Sequence, residues 1–180
     1  MQHWRVKIFA ETSPGFELRH AIPVFHRWIQ QKALPELLLD VADYQHVPAG
    51  PGVLLVGQDS HYSLDQTKHR LGLLYLRRTV RNGANASRIR HAWDCAVNAC
   101  RKLESEPEFL GKIRFPLLAC EVSVNDRALA PNTEETFRAV EPDLREVFDS
   151  VYGAGVWSLE RSTDPRELFS VLVSSATVPR

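Results

Sequence analysis

Residues 4–10 alternate apolar and charged positions, with Trp4, Val6, Ile8 and Ala10 against Arg5 and Lys7. A period of two is what a strand with one buried face requires, so a strand is predicted there. Residues 16–33 follow with Leu18, Ile22, Phe25 and Ile29 at helical spacing, and Pro23 either kinks that helix or opens its second part. Strands are predicted at 36–44, with Leu37, Leu39 and Val41 on one face, at 53–57 and at 71–79. The polar stretch 60–70 between the last two reads as a loop. Ile89, Trp93, Ala96, Val97, Cys100 and Leu103 make one stripe, which predicts a helix over 87–104 capped by Asn85 or Ser87. A strand is predicted at 115–124. Asn132 and Glu135 fit a capping box that opens a third helix, with Phe137, Val140, Leu144, Val147, Phe148 and Val151 inward and Pro142 in its middle. Residues 155–160 and 168–174 form a last hairpin around Asp164-Pro165.

The order is β-α-β-β-β-α-β-α-β-β, an α+β domain with helices packed on an antiparallel sheet. Its two ends, 4–57 and 115–174, each run strand, proline-interrupted helix, strand, strand, which suggests a pseudo-repeat of two β-α-β-β units. The expected organisation is one domain over 1–180, with sub-units 1–80 and 112–180 joined by the helix at 87–104. A chain of 180 residues supports one sizeable core without staples.

Composition then narrows the function classes. Three cysteines, Cys95, Cys100 and Cys120, make a disulfide framework improbable and fit a reducing, cytoplasmic compartment. The longest apolar runs fall far short of a membrane span, and residues 1–7 lack the apolar core of a signal peptide.

Net charge is zero but unevenly spread. Lys68, Arg70, Arg77, Arg78, Arg81, Arg88 and Arg90 give the window 66–93 a charge of +7 with no acid, whereas residues 131–180 carry a charge near −4. Arg88 and Arg90 also fall in the first turn of a helix, where the dipole is already positive, so an anion or acidic surface is expected to compensate them. This segment is the candidate surface for an acidic protein partner or small anion, and self-association is a further expectation. Nucleic acid is disfavoured, because Tyr75 is the one aromatic residue interleaved among the arginines before Trp93 and no recognition motif is present.

A second candidate is a small metal-assisted or acid-base enzyme built on Asp43, His46, His61, Tyr62 and Asp65, since carboxylates with imidazoles suit both chemistries. Their spacing matches no metal motif, no cofactor is implied, and the leading expectation is a non-enzymatic binding or assembly module. His91 and Cys95, at i and i+4, are expected to be a pair on a helix surface. The glycine-rich turns at 50–52 and 153–155 do not join a strand to a helix, as a phosphate loop must. Trp28, Trp93 and Trp157 read as core or interface anchors.

Overall fold

The computed structural model describes residues 1–179. It is an α+β fold in the expected order, with a further strand in the region read as a loop. In chain order the elements are β1 (Trp4–Phe9), β2 (Glu11–Thr12), α1 (Ala21–Gln31), β3 (Leu38–Tyr44), β4 (Gly52–Gly57), β5 (Ser60–Asp65), β6 (Gly72–Arg77) and α2 (Asn85–Ser105). They continue with β7 (Ile113–Arg114), β8 (Ala119–Val124), α3 (Glu134–Tyr152), β9 (Trp157–Arg161) and β10 (Ser170–Ser175). Eight strands form one sheet in the order β3-β4-β5-β6-β1-β8-β10-β9, with every neighbouring pair antiparallel. The short β2 and β7 pair separately.

Register explains where the core sits. Leu55, Tyr62, Tyr75, Val6, Val122 and Val171 are consecutive cross-strand partners, and Val53, Leu64, Leu73, Ile8, Cys120 and Val173 form the next row. All twelve are buried, because α1, α2 and α3 cover this face. Trp93 of α2 meets Phe148 and Tyr152 of α3 edge-on, at 5.6 and 5.9 Å between ring centroids. Trp28 is buried, with its indole N–H donating to Glu106 at 2.6 Å, and Trp157 packs half-buried on Phe148.

β1 and β8 are antiparallel neighbours at the centre of the sheet, so the two units meet there. In each unit the last strand of a hairpin lies beside the first strand: β10 beside β8 and β6 beside β1. The counterpart of β9–β10 is therefore β5–β6, and β3–β4 extends the sheet beyond it.

Local departures from expectation have local causes. α1 starts at Ala21 after a 3-10 turn (Leu18–His20), which puts Pro23 in the first turn, where its missing N–H costs nothing. In β3 the register shifts between Leu38 and Asp40, so Leu38 is buried while Leu37 and Leu39 are 56% and 52% exposed. A bulge of one residue reverses the facing of the side chains before it, which is why Leu37 and Leu39 do not join Val41 inside.

Neither Asn85 nor Ser87 caps α2, and the residue at its N-cap is Ala84. At α3 the cap is Thr133 rather than Asn132: its hydroxyl accepts from Thr136 N at 3.2 Å, while Asn132 donates to the Asp164 carbonyl at 2.8 Å. Thr133→Ala is expected to lower stability by about 1 kcal/mol in urea denaturation. Among the described residues no helix is long and apolar enough to cross a membrane.

Candidate functional site

A cleft of about 660 Å³ opens on the helix-covered face, between α2 and the segment that leads from α1 into β3. Tyr62 of β5 and Arg77 at the end of β6 form its floor, because both side chains point under α2. Glu36 and the β4–β5 turn, with Gln58 and Asp59, form one wall; His91 and Cys95 of α2 form the other. Arg81, in the connection from β6 to α2, closes the remaining side.

These groups are held in place by one another. Ser60 Oγ donates to Glu36 Oε1, and Glu36 Oε2 is buried with no hydrogen-bond partner among the described residues. Gly57 permits that carboxylate to come close, since a Cβ on it would lie 2.6 Å from Oε2. The Asp59 carbonyl accepts from the backbone N–H groups of Arg78 and Thr79, its Oδ1 accepts from the Thr79 hydroxyl at 2.9 Å, and its Oδ2 lies 3.5 Å from an Arg77 nitrogen. His91 is 3.7 Å from the Cys95 sulfur through Nε2, and the Tyr75 hydroxyl lies 3.5 Å from the same nitrogen.

Burial, then the positive charges of Arg81 and Arg77, lowers the pKa of His91. Burial raises the pKa of the Cys95 thiol and, with Cys95 and Glu36 beside the hydroxyl, that of Tyr62. Thiol and imidazole therefore face each other as neutral groups near pH 7, the opposite of the ion pair that activates a nucleophilic cysteine. The charged groups of the lining are the guanidiniums of Arg77 and Arg81 and the carboxylates of Glu36, Asp59 and Asp94.

The seven basic residues of the 68–90 segment do not share one surface. Lys68 lies over the other face of the sheet, with Nζ 2.8 Å from Glu167 and 3.3 Å from Glu121. Arg70 stacks 3.3 Å above the Phe9 ring. Arg78 is exposed. Arg88 donates to the Arg81 carbonyl at 2.7 Å, the Met1 carbonyl at 2.9 Å and Asn85 Oδ1 at 3.2 Å, so backbone dipoles compensate its place near the helix start. Arg90 pairs with Asp94 and reaches Ser150 of α3. Arg77 and Arg81 are the members that line the cleft. The acidic C-terminal region meets this segment through the Lys68–Glu167 pair and through Asp143, which accepts from Asn85, while others of its acids pair internally, as in Arg138–Glu134 and Arg145–Glu141.

The five residues proposed from sequence for a metal or acid-base site are dispersed. Asp43 and His46 lie exposed at and beyond the end of the edge strand β3, where Asp43 accepts from Gln45 N and Nε2 and is held below the usual carboxylate pKa by those bonds. His61 and Asp65 point to the open face of β5, whereas Tyr62 points to the helix face. Asp65 is bonded to Lys7 at 2.5 Å. Tyr62 is parted from His61 and Asp65 because residues 60–65 are a strand, so adjacent side chains go to opposite sides, and Asp43 and His46 are parted from all three because β4 lies between β3 and β5. Among the described residues no group of three or more His, Cys, Asp or Glu is placed to hold a metal ion.

Sequence reasoning missed Glu36 and the orientation of His91 and Cys95. Those two face the cleft rather than bulk solvent, and the available signal was that the stripe Ile89-Trp93-Ala96 leaves them at its margin. No protein-family model, curated protein or solved structure matches the chain.

Proposed function

We propose that this chain is a non-enzymatic binding module that holds an anionic group, free or presented by an acidic protein partner, in the cleft between α1 and α2. Arg77 and Arg81 are its cations. The observation that carries this reading is their separation from the rest of the basic segment. Lys68, Arg70 and Arg88 are each engaged by an acid, a ring or carbonyls outside the cleft and Arg90 is paired with Asp94 at its rim, whereas Arg77 and Arg81 flank a space large enough for a small ligand or a side chain. The long Arg77–Asp59 contact of 3.5 Å leaves that guanidinium open to exchange for a better acceptor. Burial and the two guanidiniums lower the His91 pKa, so His91 itself adds little pH dependence above neutrality to the binding of a carboxylate ligand, which stays ionised there.

The test is calorimetric titration with two probes, inorganic phosphate and a hexaglutamate peptide. Arg77→Ala and Arg81→Ala should each weaken binding by roughly ten- to a hundredfold, since a charge-assisted hydrogen bond contributes about 1.5–3 kcal/mol. Added salt should weaken it further by screening. Lys68→Ala and Arg70→Ala should leave it unchanged. Equal losses from all four variants return the site to a diffuse basic surface, and no loss from the first two removes the cleft from consideration.

A further inference from the structure

Beside the cleft, and separated from it by Arg77, Arg81 and His91, lies a narrow space of about 10 Å³. That is room for one water-sized particle, and a monatomic anion, somewhat larger, enters when the long Gln2 and arginine side chains of the lining give by a few tenths of an ångström. Its other lining residues are Gln2, His3, Trp4 and Arg88. Two of the few buried side-chain atoms without a hydrogen-bond partner among the described residues belong to this lining: Trp4 Nε1 and Arg81 Nε. Trp4 is 1% exposed. Both orphans are donors and neither can accept. A buried donor left unpaired is costly, and native structures supply such groups with a partner.

The surroundings define that partner. Three guanidinium groups border the space, and no carboxylate does among the described residues. Arg88 spends its hydrogen bonds on two carbonyls and an amide oxygen, so no negative charge cancels it there. The pKa of His91 is lowered by burial and by Arg81 and Arg77, so at neutral pH it adds no charge of its own. The occupant must accept from two N–H groups and be small, and the three guanidinium groups favour one that carries negative charge.

We infer that this space binds a single halide-sized anion, chloride under ordinary conditions, held by the Trp4 indole N–H and the Arg81 Nε–H. The inference stands apart from the cleft's ligand, because the donors involved include Trp4, which lies outside the cleft lining. A bound anion would fix Arg81 from behind and so present its outer nitrogens to the cleft.

The experiment uses the whole chain in two forms. Crystals grown in sodium bromide, measured above the bromine absorption edge, should show an anomalous peak between Trp4 and Arg81. In solution, the excess ³⁵Cl linewidth produced by the protein should be lost on adding bromide and absent in Trp4→Phe, which keeps an aromatic ring, though a smaller one, and removes the donor. Phosphate binding in the cleft of Trp4→Phe should persist, which separates this site from the proposed function. An ordered water at that position with no anomalous peak overturns the inference. If Trp4→Phe does not fold, the bromide map of the unaltered chain decides alone.

Discussion

Asp65→Ala should destabilise the protein by about 3–5 kcal/mol, the loss expected when one member of a buried ion pair is removed and the other stays behind. Lys7 and Asp65 are 3% and 1% exposed, and Lys7 Nζ lies 2.5 Å from Asp65 Oδ1. Lys7 also donates to the Thr67 carbonyl at 3.1 Å and to its hydroxyl at 3.3 Å, while Asp65 accepts from Thr67 N at 3.1 Å. The turn at 66–70 thus folds over an ammonium on the open face of the sheet. With Asp65 gone, two neutral oxygens of Thr67 are left to solvate a full charge.

Three comparisons make that expectation specific. Lys7→Met should cost less than Asp65→Ala, because Asp65 keeps its donors on Thr67. The double variant Lys7→Met/Asp65→Leu should be more stable than Asp65→Ala alone, since an apolar pair has no uncompensated charge. The gap between Asp65→Ala and the unaltered chain should also narrow as pH rises from 7 to 9. Burial already lowers the Lys7 pKa against the pull of Asp65, and without that carboxylate the amine sheds its proton more readily. Urea midpoints at each pH measure all three. A loss below about 1 kcal/mol for Asp65→Ala would show that water reaches Lys7 and that the pair is effectively exposed.

Lys7 and Asp65 also show why the sequence was legible in some places and not in others. β1, α2 and α3 announce themselves because their apolar residues keep one period throughout, with the inward side chains drawn from a single stripe. β5 does not. Its inward residues are Ser60, Tyr62 and Leu64 and its outward ones His61, Ser63 and Asp65, so polar groups occupy both faces. The two at its ends are tolerated because each has a partner far along the chain: Glu36 for Ser60 and Lys7 for Asp65. Pairings across 24 and 58 residues leave no local pattern.

The same reasoning applies to the site. The basic run is plain in sequence, but its division is set by the strand period and by the turn at 66–70, where Lys68 and His69 both take left-handed backbone angles, with φ of 59° and 54°. These non-glycine residues sit in a region that few such residues adopt. The turn carries Lys68 and Arg70 to the open face, whereas Arg77 ends a strand with its side chain under α2. Glu36 was invisible as a cleft residue because its neighbours Leu37 and Leu39 suggested a regular strand, and the bulge that breaks the register is not encoded by a glycine or proline.

Stability should be nearly flat from pH 7 to 8.5 and fall steeply above about pH 10. Tyr62, Tyr75 and Tyr152 are buried, and burial pushes each phenol above the ordinary value of 10.0. The folded state then holds protons that the unfolded chain releases, so more protons are bound by the native form and stability declines as pH rises. The contribution is complete below pH 10 and is lost as the pH climbs toward the folded-state values. Each phenol steepens the decline by up to about 1.4 kcal/mol per pH unit. Cys100 and Cys120, raised by burial from 9.0, add to it from a lower starting point. Lys7 acts in the opposite sense below 10.5, because its pKa is lowered, and offsets one of these groups. Against a total stability of about 5–15 kcal/mol, the remaining slope is enough to unfold the chain near pH 12. Circular dichroism and phenolate absorbance at 295 nm should therefore change together in that range. Tyr62→Phe removes one titrating group without changing the packed ring, and the slope should lessen by one proton. Phenolate absorbance from three or more tyrosines while the dichroism is still native would mean that the sheet's inner face admits hydroxide, and that the packing of α2 over Tyr62 and Tyr75 is looser than described.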